Sequence, residues 1–502
     1  MDFKDEQKEK MKIVAVDEPS VIQERKVIQK INLVAVPVML LVMFFQQLDK
    51  MTLNFAAMLG IYKDVNISHD EFGLAGSLYY LAQLIFQSTI VIYFLQRFPL
   101  SKVLSIPMFC WGWSLIGSSF VSNFIQLATC RFLLGAFEAF TYPSLFLFIK
   151  THYRRSEQGT YLALVYISLC AAIMCGSLFT FGIGHIADTE FMHGHGNWAW
   201  SMLIYGAITV CFSIIVLIYL PDSPYSKRFH LTDGEKEIVT ARIADNNVLR
   251  ISNIQWNQII ESLKEPRYWC LLLLTAISNL PNGAITIFSS QLIKDLGFSE
   301  LNSILLNIPR NIYEIITYIV FIYSTNRIRW CKNNVAYTSA LLTLIPTIGI
   351  VLLLAIPVSD EKPIGRLVGL CIIPTTFATL GGQALVSSNV AGKTKMIFYT
   401  TTVTTANTLG HFIGPMAMVQ SEFPEYTTAL TVYIIADMIT ILLLFYVGWS
   451  FQNDNNIRLK KKQKQEDENL DLQQQNNSNN VDKEEHEDLT DVQQDHKFIY
   501  KP

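Results

Sequence analysis

The sequence predicts an all-α polytopic membrane protein of twelve transmembrane helices in two six-helix halves. Three observations predict it. Of the 502 residues, 51% are hydrophobic and only 16% are charged, against roughly 25% charged in soluble proteins. The charge is segregated: residues 1–30, 221–267 and 451–502 hold 48 of the 81 charged residues, leaving 33 for the other 373. Apolar runs recur at the length of about 20 residues that a helix needs to cross the hydrocarbon core. An aqueous domain with so little charge has no means of covering its surface. A soluble multidomain enzyme and a disordered chain are therefore excluded. The net charge of −3 argues against a nucleic acid or another polyanionic partner. No catalytic triad or metalloprotease motif occurs, so neither enzyme activity nor a cofactor is expected.

The predicted spans are 33–59, 72–93, 102–119, 124–149, 160–183, 200–220, 268–292, 302–325, 335–356, 365–387, 395–419 and 428–450. The third is short and closes in Ser118-Ser119, and the eleventh is rich in threonine. Outer-membrane strands are excluded because the apolar runs are too long and do not alternate. Lys and Arg set the orientation, since cytoplasmic segments carry them in excess. With both termini cytoplasmic, inner segments hold 29 of them and outer loops four, namely Lys63, Lys294, Lys362 and Arg366. Residues 1–30 are too charged for a cleavable signal peptide. The eight cysteines lie in or beside spans without a CxxC pair and read as packing residues rather than a disulfide or metal framework.

The organisation is an N-terminal tail (1–32), a first half (33–220), a central loop (221–267), a second half (268–450) and a C-terminal tail (451–502). Arg97 and Lys102 after span two match Arg327 and Lys332 after span eight in spacing, the pattern of a duplicated six-helix unit with a site between the halves near the midplane. In the central loop, Thr232-Asp-Gly-Glu235 reads as a capping box opening a helix. Trp256 to Leu263 reads as a second helix on the inner membrane surface. The tail, basic and then rich in Gln, Asn and acidic residues, is expected to be disordered.

Several stretches together resemble the major facilitator superfamily and, within it, the fungal anion:cation symporters of the allantoate permease type. They are Leu48-Asp49-Lys50 with Ala56-Ala57; Leu95-Gln-Arg-Phe-Pro-Leu-Ser-Lys102; Arg131-Phe-Leu-Leu-Gly135 with Glu138 and Pro143; and Leu220-Pro-Asp-Ser-Pro224. Others are Glu261-Ser-Leu-Lys-Glu-Pro266, Pro281-Asn-Gly283, Asn389-Val-Ala-Gly-Lys-Thr-Lys395, Gly414-Pro415, and the tail from Asp488-Leu-Thr-Asp491 to Phe498-Ile-Tyr500. The resemblance implies proton-driven import of a small organic anion by alternating access: a ureide such as allantoate, a carboxylate, a dipeptide or a vitamin. Its partners would be that anion, protons and the lipid bilayer, with the chain acting as a monomer. The plasma membrane is the family default, with the endoplasmic reticulum or another internal membrane left open. Two other readings remain: a non-transporting nutrient sensor of the same fold, and a channel, which the lack of a repeated pore-lining charge pattern disfavours.

An ionisable group inside a span costs about 2.5–3.5 kcal/mol on insertion scales, so it calls for a partner or a function. Asp49 and Lys50 are adjacent and point about 100° apart. One is expected to face the cavity and the other to pair with a neighbouring helix; a fixed ion pair is the bland alternative. Arg131, Gly135 and Glu138 stand at i, i+4 and i+7 and share a face. Gly135 admits a close backbone. Glu138 is positioned to take a proton from outside and release it inside, with Arg131 favouring the release; in the resembling superfamily this arginine is tied to coupling. A purely structural pair is the alternative. Arg310 and Glu314 are an i, i+4 pair, either self-neutralising or a carboxylate clamp. Asp49 and Glu314 are thus further proton-coupling candidates, and Lys50, Arg131 and Arg310 substrate-binding ones. Asp437 reads as a local helix contact.

Tyr142, Asn279, Asn282, Asn407 and His411 are candidates to orient a solute, although such residues more often make packing hydrogen bonds. His411 stands where the family commonly has Asn. Gly410, Gly414 and Pro415 are expected to supply close packing and a bend used during rocking. The resemblance places Arg97 and Lys102 in a cytoplasmic latch; positive-inside bias alone is the alternative. Gly392-Lys393-Thr394 and Gly182-Ile-Gly184-His-Ile-Ala187 imitate nucleotide motifs in the wrong structural context. His185, His193 and His195 share an outer loop where a metal site is weakly signalled. Asn66-Ile-Ser68 is an outer sequon.

Overall fold

A computed structural model describes residues 21–88, 90–185, 196–244, 255–357, 363–373 and 377–473. His193, His195, Lys362 and the tail motif from Asp488 lie outside them. The described residues are helical, with no strand among them.

The first half comprises α1 (Val21–Met58), α2 (His69–Ser88), α3 (Ile90–Arg97), α4 (Leu100–Ser118), α5 (Phe124–Glu138), α6 (Thr141–His152), α7 (Arg155–His185) and α8 (Asn197–Tyr219). The central loop contributes α9 (Asp233–Ala244) and α10 (Trp256–Lys264). The second half comprises α11 (Pro266–Ser278), α12 (Leu280–Asp295), α13 (Glu300–Leu305), α14 (Asn307–Arg327), α15 (Val335–Ala355), α16 (Pro363–Ile372), α17 (Phe377–Asn389), α18 (Lys393–Ile413) and α19 (Thr427–Gln473). Among the described residues, nine helical runs are long and apolar enough to cross a membrane. The stretches expected as spans two, three and eleven are helical too, as α2 with α3, α4 and α18, but fall outside those nine.

Three long apolar runs are broken where the sequence dictates. Proline lacks the amide donor, and its ring clashes with the carbonyl four residues back. Pro143 follows the break between α5 and α6, Pro281 the break between α11 and α12, and Pro309 the break between α13 and α14. Each break puts irregular backbone inside the bundle, next to the polar residues described below.

Helix pairs inside each half approach closely at glycines. A side chain at Gly112 of α4 would meet the Gly206 carbonyl of α8 at 3.1 Å, and one at Gly448 of α19 would meet the Ala336 Cβ of α15 at 3.1 Å. Thr347 of α15 donates to Asp437 of α19 at 3.1 Å, so Asp437 makes a local helix contact. The halves meet along several lines. Asn54 of α1 donates to Ser289 at 2.5 Å and to the Thr286 carbonyl at 3.2 Å, and accepts from the Ser290 amide at 3.1 Å, all on α12. Tyr166 of α7 donates to Gln383 of α17 at 3.2 Å.

The capping box closes at the start of α9, where the Thr232 amide donates to Glu235 at 2.8 Å. The α10 helix turns Gln258 and Ser262 inward and leaves Trp256, Ile260 and Leu263 exposed, an apolar stripe suited to a membrane surface. Within the tail expected to be disordered from residue 451, α19 continues to Gln473; residues 474–502 lie outside the described residues. The extension of α19 is anchored: Arg267 pairs with Asp454 at 2.6 Å, and Tyr337 donates to Gln452 at 3.1 Å. The Lys-, Glu- and Gln-rich stretch beyond has good helix propensity. All eight cysteines are free.

Candidate functional site at the seam between the halves

Glu138 is the last residue of α5, directly before the proline-associated break, and is fully buried. Its Oε2 accepts from the Tyr79 hydroxyl at 2.5 Å, and Gln83 donates to that hydroxyl at 2.8 Å. Its buried Oε1 has no hydrogen-bond partner, and Gln46 lies beside the carboxylate. Two cations act on the carboxylate, Lys50 and Arg131. Gly135 explains how α5 reaches α2 at this point: a Cβ there would overlap the Tyr79 carbonyl. Arg131, Gly135 and Glu138 therefore do share a face, and that face is turned on Tyr79.

Arg131 is 2% exposed. It donates to Thr52 of α1 at 3.3 Å, while its Nε has no partner. Asp49 and Lys50 diverge as two adjacent helical residues must. Asp49 accepts from Trp111 of α4 at 3.0 Å and from Thr209 of α8 at 2.7 Å, which ties it to the packing of its own half. Lys50 goes the other way, with its ammonium 4.9 Å from the centre of the Tyr80 ring. Lys50, Tyr142, Asn282 and Asn407 are each half-buried.

The second half faces this cluster with α12 and α18. The Tyr80 ring lies 5.2 Å from the His411 ring. His411 Nδ1 is 2.9 Å from the Asn407 carbonyl, and its Nε2 is 3.3 Å from the Asn282 amide nitrogen. The tautomer that donates from Nδ1 leaves Nε2 to accept from Asn282. A Cβ at Gly283 would meet the His411 backbone at 2.6 Å, so only glycine lets α12 and α18 set these two side chains together. Gly410 and Gly414 likewise lie against the Ala276 and Leu280 carbonyls, and Pro415 is buried in the turn after α18. Asn279 donates to Thr379 at 2.8 Å and to the Thr275 carbonyl at 2.7 Å, while its buried Oδ1 has no hydrogen-bond partner.

A second group lies where α14 meets α7. Arg310 is 3% exposed and its Nε has no partner. Glu314 is not closed onto it; its Oε1 accepts from Tyr318 at 2.6 Å, and the Cys170 thiol of α7 lies beside it. The Tyr318 ring lies 5.3 Å from that of Tyr166. Taken together, Lys50, Arg131 and Arg310 stand among Asp49, Glu138 and Glu314. Among the described residues, no N···O distance within 4.0 Å joins any of these cations to any of these carboxylates.

Arg97 and Lys102 are elsewhere. Arg97 lies over the Tyr93 ring at 5.0 Å, Arg97 and Lys102 are both exposed, and among the described residues neither has a carboxylate within 4.0 Å. The ion pairs at that end of the molecule use other residues: Lys30–Glu235 at 2.7 Å, Arg154–Glu24 at 2.9 Å and Arg242–Glu157 at 2.7 Å. On the other half, buried Lys395 pairs with Glu261 at 2.8 Å and Glu265 at 2.5 Å. Asn66 adopts φ +52° and is exposed. Among the described residues, no group of His, Cys, Asp and Glu is arranged to hold a metal ion.

Sequence reasoning passed over Tyr79, Tyr80, Trp111, Thr209 and Tyr318. The available signal was a Tyr-Tyr pair in the middle of an apolar run, since a buried phenol needs a partner.

The family model described as Major Facilitator Superfamily matches residues 39–415. The chain belongs to the major facilitator superfamily. Similar relatives include the "Uncharacterized transporter C757.13" of Schizosaccharomyces pombe, 29% identical over 95% of this chain and 88% of that protein. The "Thiamine pathway transporter THI73" of Saccharomyces cerevisiae is 28% identical over 86% of this chain and 81% of that protein. The "Allantoate permease" of the same yeast is 26% identical over 84% and 78%. Among solved structures, a bacterial homologue of the lysosomal transporter Spinster aligns with a TM-score of 0.57 at 13% identity over 86% of this chain and 96% of that one. The xylose transporter XylE of E. coli aligns at 0.57 and 12% identity over 82% and 99%. The protein is a multi-pass membrane transporter of this superfamily.

Proposed function

We propose that this transporter imports a small organic anion together with protons, using twelve spans and alternating access between its halves, with both termini cytoplasmic. One observation carries the reading. Three cations and three carboxylates stand along the seam, all of them buried except the half-buried Lys50, and none is paired with another within 4.0 Å. A charge in such a place is costly unless compensated. Balanced but unpaired charges leave a simple rule: neutralising one carboxylate with a proton leaves one positive charge in excess, and an anion restores the balance. Glu138 is the group suited to take that proton. It is fully buried, has one oxygen without a partner and adjoins both Lys50 and Arg131. Glu314 offers the same chemistry beside Arg310. Asp49, committed to Trp111 and Thr209, serves mainly to hold α1 in place.

The anion's carboxylate would lie between Lys50 and Arg131, on the side facing Tyr80, Asn282 and His411. Tyr142 and Asn407 border the same space, and Arg310 is a second cationic end for a longer substrate. Gly135, Gly283, Gly410 and Gly414 let helices slide at contact distance, and Pro415 marks the bend. In the state described, Arg97 and Lys102 are unlatched. The names of the relatives favour a ureide or a vitamin-related anion among the candidate classes. A charge crossing 100 mV is worth about 2.3 kcal/mol, so an anion entering against a negative interior requires at least one accompanying proton per charge. Uptake of labelled ureides, carboxylates, dipeptides and vitamins into proteoliposomes tests the reading. Saturable accumulation that collapses with a protonophore supports it. Binding without flux would favour a sensor.

A further inference from the structure

A further cation, remote from the seam, has no ion-pair partner among the described residues. Arg366 sits in the first turn of α16 and is 6% exposed. Its Nε has no hydrogen-bond partner, and no carboxylate of the described residues lies within 4.0 Å of it. It lines a cleft formed only by the second half, between α12, α15, α16 and the start of α19. The rest of the wall is largely apolar, with Ile285, Leu353, Leu370, Ile373, Met418 and Tyr433 among its residues. Exposed Glu425 stands at the cleft, and its charge reaches the guanidinium from beyond pairing distance.

A guanidinium carries five donors and stays charged in proteins. Keeping one buried against hydrocarbon side chains without an anion is unfavourable. We propose that this cleft is a binding site for a monocarboxylate with a short apolar part, the carboxylate on Arg366 and the apolar part against Ile285, Leu370 and Tyr433. One guanidinium with Glu425 nearby accommodates a single negative charge and disfavours a dianion such as phosphate. The apolar wall selects against strongly hydrated inorganic anions. The same head group is supplied by a free short-chain acid or by a fatty acid in the bilayer. This site is separate from the seam, and the inference does not rest on the transport reading.

The test uses the full-length protein in phosphatidylcholine nanodiscs. Butyrate binding is read by saturation-transfer NMR, and the effect of added oleate by thermal unfolding. Butyrate should bind, and Arg366→Gln should weaken it by roughly tenfold or more, the range expected for losing a charged hydrogen-bonded contact. If butyrate does not bind but oleate stabilises the wild type and not Arg366→Gln, the lipid is the source and the site stands. Binding of both acids that is indifferent to Arg366→Gln, or absence of both effects, would overturn the assignment. Should Arg366→Gln not fold, exposed Glu425→Gln decides: removing a competing negative charge should tighten binding several-fold, and an unchanged affinity would refute the site.

Discussion

Replacing Glu138 by glutamine keeps the shape of the side chain and fixes it in the neutral state. The structure specifies two consequences. The Tyr79 hydroxyl, 2.5 Å from Oε2, exchanges a charge-assisted bond for a neutral one, a loss of about 1 kcal/mol. The fold should therefore survive, with a small decrease in thermal stability. Coupling should not survive. With one proton per monoanion, each pH unit supplies about 1.4 kcal/mol, a tenfold accumulation, and the cycle is indifferent to voltage. Without the proton, the anion moves alone and gains nothing from a pH difference. An interior at −100 mV then opposes it by about 2.3 kcal/mol, close to a fiftyfold exclusion at equilibrium. The assay is uptake of the substrate found by screening into proteoliposomes with pH gradient and potassium-diffusion potential set independently. Tenfold accumulation per pH unit in the Glu138→Gln protein would refute the reasoning.

Further expectations concern stability and pH. Gly135→Leu should destabilise the detergent-solubilised protein by about 1–3 kcal/mol, the range for overpacking, because its Cβ overlaps the Tyr79 carbonyl; an unchanged melting temperature would contradict this. Trp111→Phe should cost about 1–2 kcal/mol by removing one of the two donors to Asp49, and Thr209→Val combined with it should be non-additive in a double-mutant cycle, since the two share one carboxylate. His152, the last residue of α6 and past the apolar span that ends at Ile149, is 4% exposed and stacks on Phe148 at 3.9 Å. Burial there pulls its pKa from 6.5 down to about 4, against partial compensation from the Phe148 and Ser223 backbone. The folded state thus resists protonation that the unfolded chain accepts below pH 6.5, so its contribution is fully present above that pH and is lost as pH falls towards 4. The loss amounts to about 3 kcal/mol. Unfolding measured between pH 7 and 4 should show it, and His152→Leu should flatten that slope.

Much of the fold was legible because a bilayer imposes length and apolarity on every span, and because proline disfavours a continuous helix, although Pro37, Pro107 and Pro346 sit inside unbroken helices. Pro143, Pro281 and Pro309 each accompany a break that the chain displays. The shared face of Arg131, Gly135 and Glu138 followed from helical periodicity alone. What each residue touches did not. That Asp49 turns to Trp111 and Thr209 while Lys50 turns to Tyr80 depends on which helices flank α1, and local spacing carries no such information. Tyr79 was illegible for the same reason: its role comes from α5 lying close enough, at Gly135, to bring Glu138 within bonding distance. The extension of α19 past residue 451 was missed because polar composition was weighed as disorder. Helix propensity and the anchors at Asp454 and Gln452 favour continuation. The latch expected at Arg97 and Lys102 depends on partners in a particular access state, which a sequence does not specify.

The central claim is that solute and proton move together through Glu138. Its most direct test is proton flux itself. Wild-type protein is sealed in liposomes holding a pH-sensitive dye, with no imposed gradient of pH or voltage, and candidate ureides, carboxylates, dipeptides and vitamins are added outside. The expected result is acidification of the lumen for one class of anion only, saturable in that anion and absent in Glu138→Gln. Uptake of the labelled anion with no movement of protons would contradict the claim.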